Sequence, residues 1–93
     1  MDNQIAIFTW IYGGRDVKIA GDFTNWIPVS MQNKEFIWEY KQQIPYGVHY
    51  YKFIVDGNWV YDMNIKYDKD SQGNTNNVIQ VNPKSPTRRI RGQ

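Results

Sequence analysis

A chain of 93 residues has room for one domain, and the absence of cysteine excludes a disulfide scaffold, thiolate catalysis and a cysteine-ligated zinc site. Aromatic residues make up 16% of the chain, with 4 Trp, 7 Tyr and 4 Phe. That is enough to fill a small core and leave some flat rings at the surface. The net charge of +2 is uneven: Lys84, Arg88, Arg89 and Arg91 all follow residue 81, so residues 1–81 carry −2 and lack the basic footprint of a nucleic-acid binder.

Taken in chain order, the sequence reads as short apolar and aromatic runs broken by Gly, Asn, Asp and Pro, with no sustained helical period. The start, Met1-Asp2-Asn3-Gln4, is polar, so no leader peptide is expected, and no run approaches the roughly 18 apolar residues of a membrane span. Gln4–Trp10 is a predicted strand, followed by a turn at Gly13-Gly14. Asp16–Gly21 alternates, with Val17 and Ile19 on one face. Asp22–Trp26 is a predicted loop before Pro28. Glu35–Gln43 is a third strand, with Trp38 and Tyr40 on the face opposite Glu39 and Lys41. Ile44–Gly47 reads as a turn.

Val48–Asp56 carries the clearest alternation: His49, Tyr51, Phe53 and Val55 inward, Tyr50, Lys52, Ile54 and Asp56 outward. Asp56-Gly57-Asn58 predicts a tight hairpin turn, because Asp-Gly tolerates the positive φ that such turns require. Trp59–Asp62 returns as the partner strand. Asp68–Asn77 is polar and Gly-containing and reads as a loop, and Val78–Val81 closes the sheet. Residues 82–93, with two Pro, four cations and one large apolar residue, read as a flexible basic tail. The whole predicts one module over 1–81, an all-β, small antiparallel immunoglobulin-like β-sandwich without disulfides.

Three segments together resemble one family. Val17-Lys18-Ile19-Ala20-Gly21-Asp22-Phe23-Thr24-Asn25-Trp26, the Gly47–Trp59 block with His49, Tyr51-Lys52-Phe53 and Val55-Asp56-Gly57, and the closing Asn76–Val81 segment are similar in order and spacing to carbohydrate-binding module family 48. That family includes the glycogen-binding domain of the AMP-activated protein kinase β subunit. The resemblance implies a β-sandwich that binds glycogen or a starch-like α-glucan. It implies an aromatic platform at Trp26 and Trp59, with Lys52 and Asn76 supplying hydrogen bonds. The sequence departs from the pattern at Ser71–Thr75, where kinase-type domains carry a leucine that pushes into the glucan coil, and after Asp62, where a proline is common.

These residue types suit such a ligand on chemical grounds. A pyranose has a C–H-lined face that packs on an indole, and a rim of hydroxyls that an ammonium and carboxamides can serve. Two indoles set at an angle would follow the curve of an α-1,4 chain. A shallow site of this kind implies a Kd on the order of 10–1000 μM. Trp10 and Trp38 are expected in the core.

Catalysis is not expected, since glycoside hydrolysis needs two carboxylates across a cleft. His49, the single histidine, is expected to pack structurally, and Asp68-Lys69-Asp70 lacks the spacing of a calcium loop. No cofactor and no metal are expected. The competing reading is a protein–protein module, a small subunit of a larger assembly whose aromatic surface meets protein. Nucleic-acid binding through the tail would rest on four cations alone. The expected setting is cytoplasmic.

Overall fold

A computed structural model describes residues 2–83 and the backbone of residues 87–89. Among the described residues ten strands form two sheets: β1 (Asn3–Trp10), β2 (Val17–Gly21), β3 (Val29–Ser30), β4 (Gln32–Lys34), β5 (Ile37–Pro45), β6 (Gly47–Val55), β7 (Asn58–Val60), β8 (Tyr67–Lys69), β9 (Thr75–Val81) and β10 (Thr87–Arg89). A single 3₁₀ turn, Asp22–Thr24, follows β2. One sheet runs β10-β1-β5-β4; the other runs β3-β2-β6-β9-β8, with β7 also paired to β6. All pairings are antiparallel except β1 with β10. The all-β sandwich expected from the sequence is the architecture found.

The core lies between the sheets. In β1, Ala6, Phe8 and Trp10 point inward and are buried, while Ile5, Ile7 and Thr9 alternate outward. Facing them are Val17 and Ile19 of β2, Tyr51 and Phe53 of β6, and Ile79 and Val81 of β9. Phe8 packs edge-on against Tyr51 at 4.8 Å between ring centroids, and Trp10 lies against Phe53 at 4.9 Å. Aromatic pairs of this geometry add to the area they bury. Trp38 packs on the rim of this cluster, half-buried.

The chain passes from one sheet to the other between β5 and β6 with Tyr46 alone between them. Gly47 makes that possible: its φ of +125° is open to glycine and closed to side chains. The turn expected over Ile44–Gly47 is therefore narrower, because Ile44 and Pro45 still pair with β1.

Four further expectations change. Asp68–Asn77 is not one loop. Tyr67–Lys69 and Thr75–Val81 pair as β8 and β9, leaving residues 70–74 as the connection. Their polar composition hid the strands, and in β9 a polar side chain finds partners inside the protein. Asn77, fully buried, donates through Nδ2 to the carbonyls of Asp62 and Lys66 and accepts from the Asp62 N–H. Ile54, expected to face solvent, is 6% exposed, flanked on its face by Lys18 and Trp59. The short strands β3 and β4 carry no sequence signal.

Within the segment expected to be a flexible tail, or an arm that orders only against a partner, the backbone of residues 87–89 pairs with Ile5–Ile7. The rest of the expected tail beyond Pro83 lies outside the described residues. No helix among the described residues is long and apolar enough to cross a membrane.

Candidate functional site

The loop that presents Trp26 is built residue by residue from Gly21-Asp22-Phe23-Thr24-Asn25-Trp26. A Cβ on Gly21 would stand 2.7 Å from both the Phe23 ring and the Tyr50 carbonyl oxygen, so the backbone can approach β6 only without a side chain there. The Asp22 carboxylate accepts from the Tyr50 N–H at 2.9 Å and meets His49 Nδ1 at 2.7 Å. Phe23 reaches back to the core and stacks on Phe8 at 5.0 Å. The Thr24 hydroxyl accepts from the Gly21 N–H and donates to the Gly21 carbonyl, closing the turn.

Asn25 and Trp26 then both adopt left-handed backbone, with φ of 57° and 58°. For an indole-bearing residue this conformation is strained, and it persists only because the surroundings over-determine it. The Trp26 N–H donates to Gly21 O at 2.8 Å, and the Ile27 N–H donates to Thr24 O at 3.0 Å. The result is a tryptophan 38% exposed at the end of β2.

His49 has a second partner: Nε2 lies 2.7 Å from the Pro45 carbonyl oxygen. The histidine thus ties β6, the end of β5 and the 3₁₀ turn together. This is the packed structural role expected for it.

Trp59 is presented differently. Val55 pairs with Asn58 across a two-residue turn in which Asp56 (φ 50°) and Gly57 (φ 86°) both have positive φ, as the hairpin signal requires. Asp56 anchors the turn by accepting from the Arg15 and Asp16 N–H groups, both at 2.9 Å. Trp59 stands opposite Ile54 on the outer face of the sheet and is 49% exposed. Among the described residues, neither Trp26 nor Trp59 packs against another aromatic ring, whereas Trp10 does.

Lys52 lies on that same outer face, two positions along β6 from Ile54 and opposite Ala20 of β2. On its other side β6 changes partner: β9 pairs with Gly47–Tyr51 and β7 with Phe53–Val55. Lys52 stands at this change-over. One further step of the β6–β9 register brings Asn76 opposite it, and Asn76 pairs with Asp68 of β8. Trp59, Lys52 and Asn76 therefore share one face of one sheet. Trp26 is tied to the end of β2 through the Gly21 carbonyl, and Gly21 pairs with Tyr51, the neighbour of Lys52. Asn76 lies inside a strand rather than before it and is only 8% exposed.

Sequence reading missed Asp70. Its carboxylate accepts from the Gln72 and Asn74 N–H groups at 2.9 Å, and its main chain exchanges bonds with Asn74 and Gly73. The Asn74 N–H foremost, then the Gln72 N–H and the Lys52 ammonium, hold this carboxyl below the usual carboxylate range. The aspartate thus shapes the 70–74 loop beside Lys52. Its signal in sequence, an Asx turn in Asp70–Asn74, was hidden in the polar run.

The remaining polar cluster belongs to the scaffold. Asp62, 5% exposed, accepts from the Tyr12 hydroxyl and the Asn64 N–H. The Tyr51 hydroxyl is buried without a protein partner, and burial, aided by the Asp62 charge, pushes its pKa far upward. Among the described residues no group of three or more His, Asp or Glu side chains could hold a metal ion.

Comparison with known proteins gives the family of the chain. Residues 5–87 match the family model described as the glycogen recognition site of AMP-activated protein kinase. The chain is 36% identical over 78 residues to 5'-AMP-activated protein kinase subunit beta-1 of Sus scrofa, covering 82% of this chain and 62% of that sequence. It is also 36% identical to the beta-1 subunit of Homo sapiens and 37% identical to the beta-2 subunit of Mus musculus, each match covering 82% of this chain and 28% of the relative. This chain is a member of the carbohydrate-binding module family known as the glycogen recognition site of AMP-activated protein kinase.

Proposed function

We propose that the chain binds α-1,4-linked glucan, glycogen or a starch-like chain, without catalysis, and that Trp26, Trp59, Lys52 and Asn76 make the contact. The observation that carries this reading is the placement of a half-exposed indole, Trp59, on the same outer sheet face as Lys52 and Asn76. A sugar face stacks on indole by excluding water from apolar C–H surface, and the two polar side chains serve the hydroxyl rim. The strained backbone at Trp26 supports a second stacking residue held in a fixed pose. Asn76 offers little surface, so its contribution is a single hydrogen bond at the floor of the site.

The match covers 62% of one relative and 28% of another, and those relatives are named as kinase subunits. That supports a role in bringing a larger cytoplasmic complex to glucan, with the complex as protein partner. Retention on glycogen or amylose resin tests the sugar reading. Wild type should be retained, and Trp26→Ala and Trp59→Ala should each weaken binding at least tenfold, about 1.4 kcal/mol. A folded wild type that ignores the resin would replace this reading with the protein–protein module.

A further inference from the structure

The sandwich has one strand whose free edge would be hazardous. β1 reads Asn-Gln-Ile-Ala-Ile-Phe-Thr-Trp, without charge, proline or glycine. Such a segment, rich in β-branched and aromatic residues, is a template for pairing with another chain when its backbone is uncovered. Of the other edge strands in the described sheets, β7 is also uncharged but has only three residues, Asn58–Val60. β3 has two residues, and β4 and β8 have three each, all exposed in both and carrying Lys34 in one and Asp68 and Lys69 in the other. Short, charged strands are how soluble proteins blunt an edge.

β1 pairs with β5 along its whole length on one side. On the other side it meets β10 alone, through Ile5, Ala6 and Ile7 against Thr87, Arg88 and Arg89. β10 thereby covers the Ile5–Ile7 stretch of this long uncharged strand with a three-residue strand that has two arginines in its sequence.

We propose that β10 is a protective edge strand, and that the β1 surface it covers is a strand-docking site whose competing occupant is β1 of a second copy of this chain. Uncovered, two β1 edges are self-complementary across a two-fold axis. Covered, the Ile5–Ile7 backbone is paired to β10 and offers no free edge there to a second copy. The site lies in the sheet opposite the one that carries Trp59, so it is independent of glucan binding.

Sedimentation velocity and backbone amide exchange test this on three proteins: the full chain, a chain ending at Pro83, and the full chain with Arg88→Pro. The full chain should be monomeric, with slow exchange at the Ile5–Ile7 amides that face β10. The shortened chain should lose that protection and form dimers or larger species as concentration rises. Arg88→Pro should do the same with residues 2–83 intact, and it decides the matter if the shortened chain does not fold. Adding Ile5→Lys to the self-associating variant should restore the monomer. The proposal is overturned if both variants stay monomeric over the concentration range, if the full chain self-associates as readily as they do, or if Ile5→Lys leaves association unchanged.

Discussion

The two loops that border the proposed glucan face are held in opposite ways. Gly21–Ile27 is tied to the rest of the protein: Phe23 enters the core against Phe8, Asp22 bonds to β6, and Gly21 lets the backbones touch. The 70–74 loop is held by itself, through one carboxylate bonded to its own N–H groups, with Lys52 as the nearby countercharge. A loop wired into the core can impose a strained pose on Trp26. A loop closed on one exposed aspartate can shape its own backbone and little else. Damage to the first should therefore unfold the protein as well as weaken binding, and damage to the second should separate the two effects.

Phe23→Ala is expected to show the largest effect, about 3 kcal/mol in chemical denaturation, because the ring leaves a void against Phe8 and Tyr51. Glucan retention should fall with it as Trp26 loses its support. A loss confined to binding would show that the loop is not anchored through this ring. Gly21→Ala should cost roughly 1–3 kcal/mol, since the added methyl meets a backbone oxygen that cannot swing away. Asp22→Ala should cost about 1–2 kcal/mol by leaving the Tyr50 N–H and His49 without their acceptor. Urea titration orders these three, and a ranking with Asp22→Ala first would move the main anchor from the ring to the carboxylate.

Asp70→Ala sharpens the other half of the comparison. The denaturation midpoint should stay where it is, while glucan affinity falls because Gln72 and Asn74 no longer hold the loop beside Lys52. The smallest effect is the response to pH. Asp70 has a depressed folded-state pKa, so its contribution is present above the unfolded carboxylate value and is lost as pH falls through the folded value. The Gln72 and Asn74 amide resonances should therefore shift at a lower pH than an ordinary aspartate titrates. Movement of both near the ordinary aspartate range would remove the loop's claimed anchor.

Much of the site was legible because its signals are local. In Asp56-Gly57, two consecutive positive φ values are demanded by a two-residue hairpin, so the turn and the position of Trp59 beside it follow from composition. The Gly21–Trp26 run also carries its geometry in its own side chains. Asn76 and Asn77 were misread, because carboxamides favour loops in isolation and become strand residues only when buried carbonyls, such as those of Asp62 and Lys66, give them partners. The role of Asp70 was missed for another reason: its Asx turn onto Gln72 and Asn74 is local, but it is hidden in a polar run.

The sequence by itself determined the all-β class, the inward set Tyr51, Phe53 and Val55, and the hairpin before Trp59, since alternation and turn chemistry act over a few residues. Tertiary structure alone decided that Ile54 is covered, that Asn77 is a buried clamp, and that residues 87–89 pair with β1. Each of these depends on a partner brought close by the fold, and a burial or a backbone pairing between distant segments leaves no mark in the spacing of neighbouring residues.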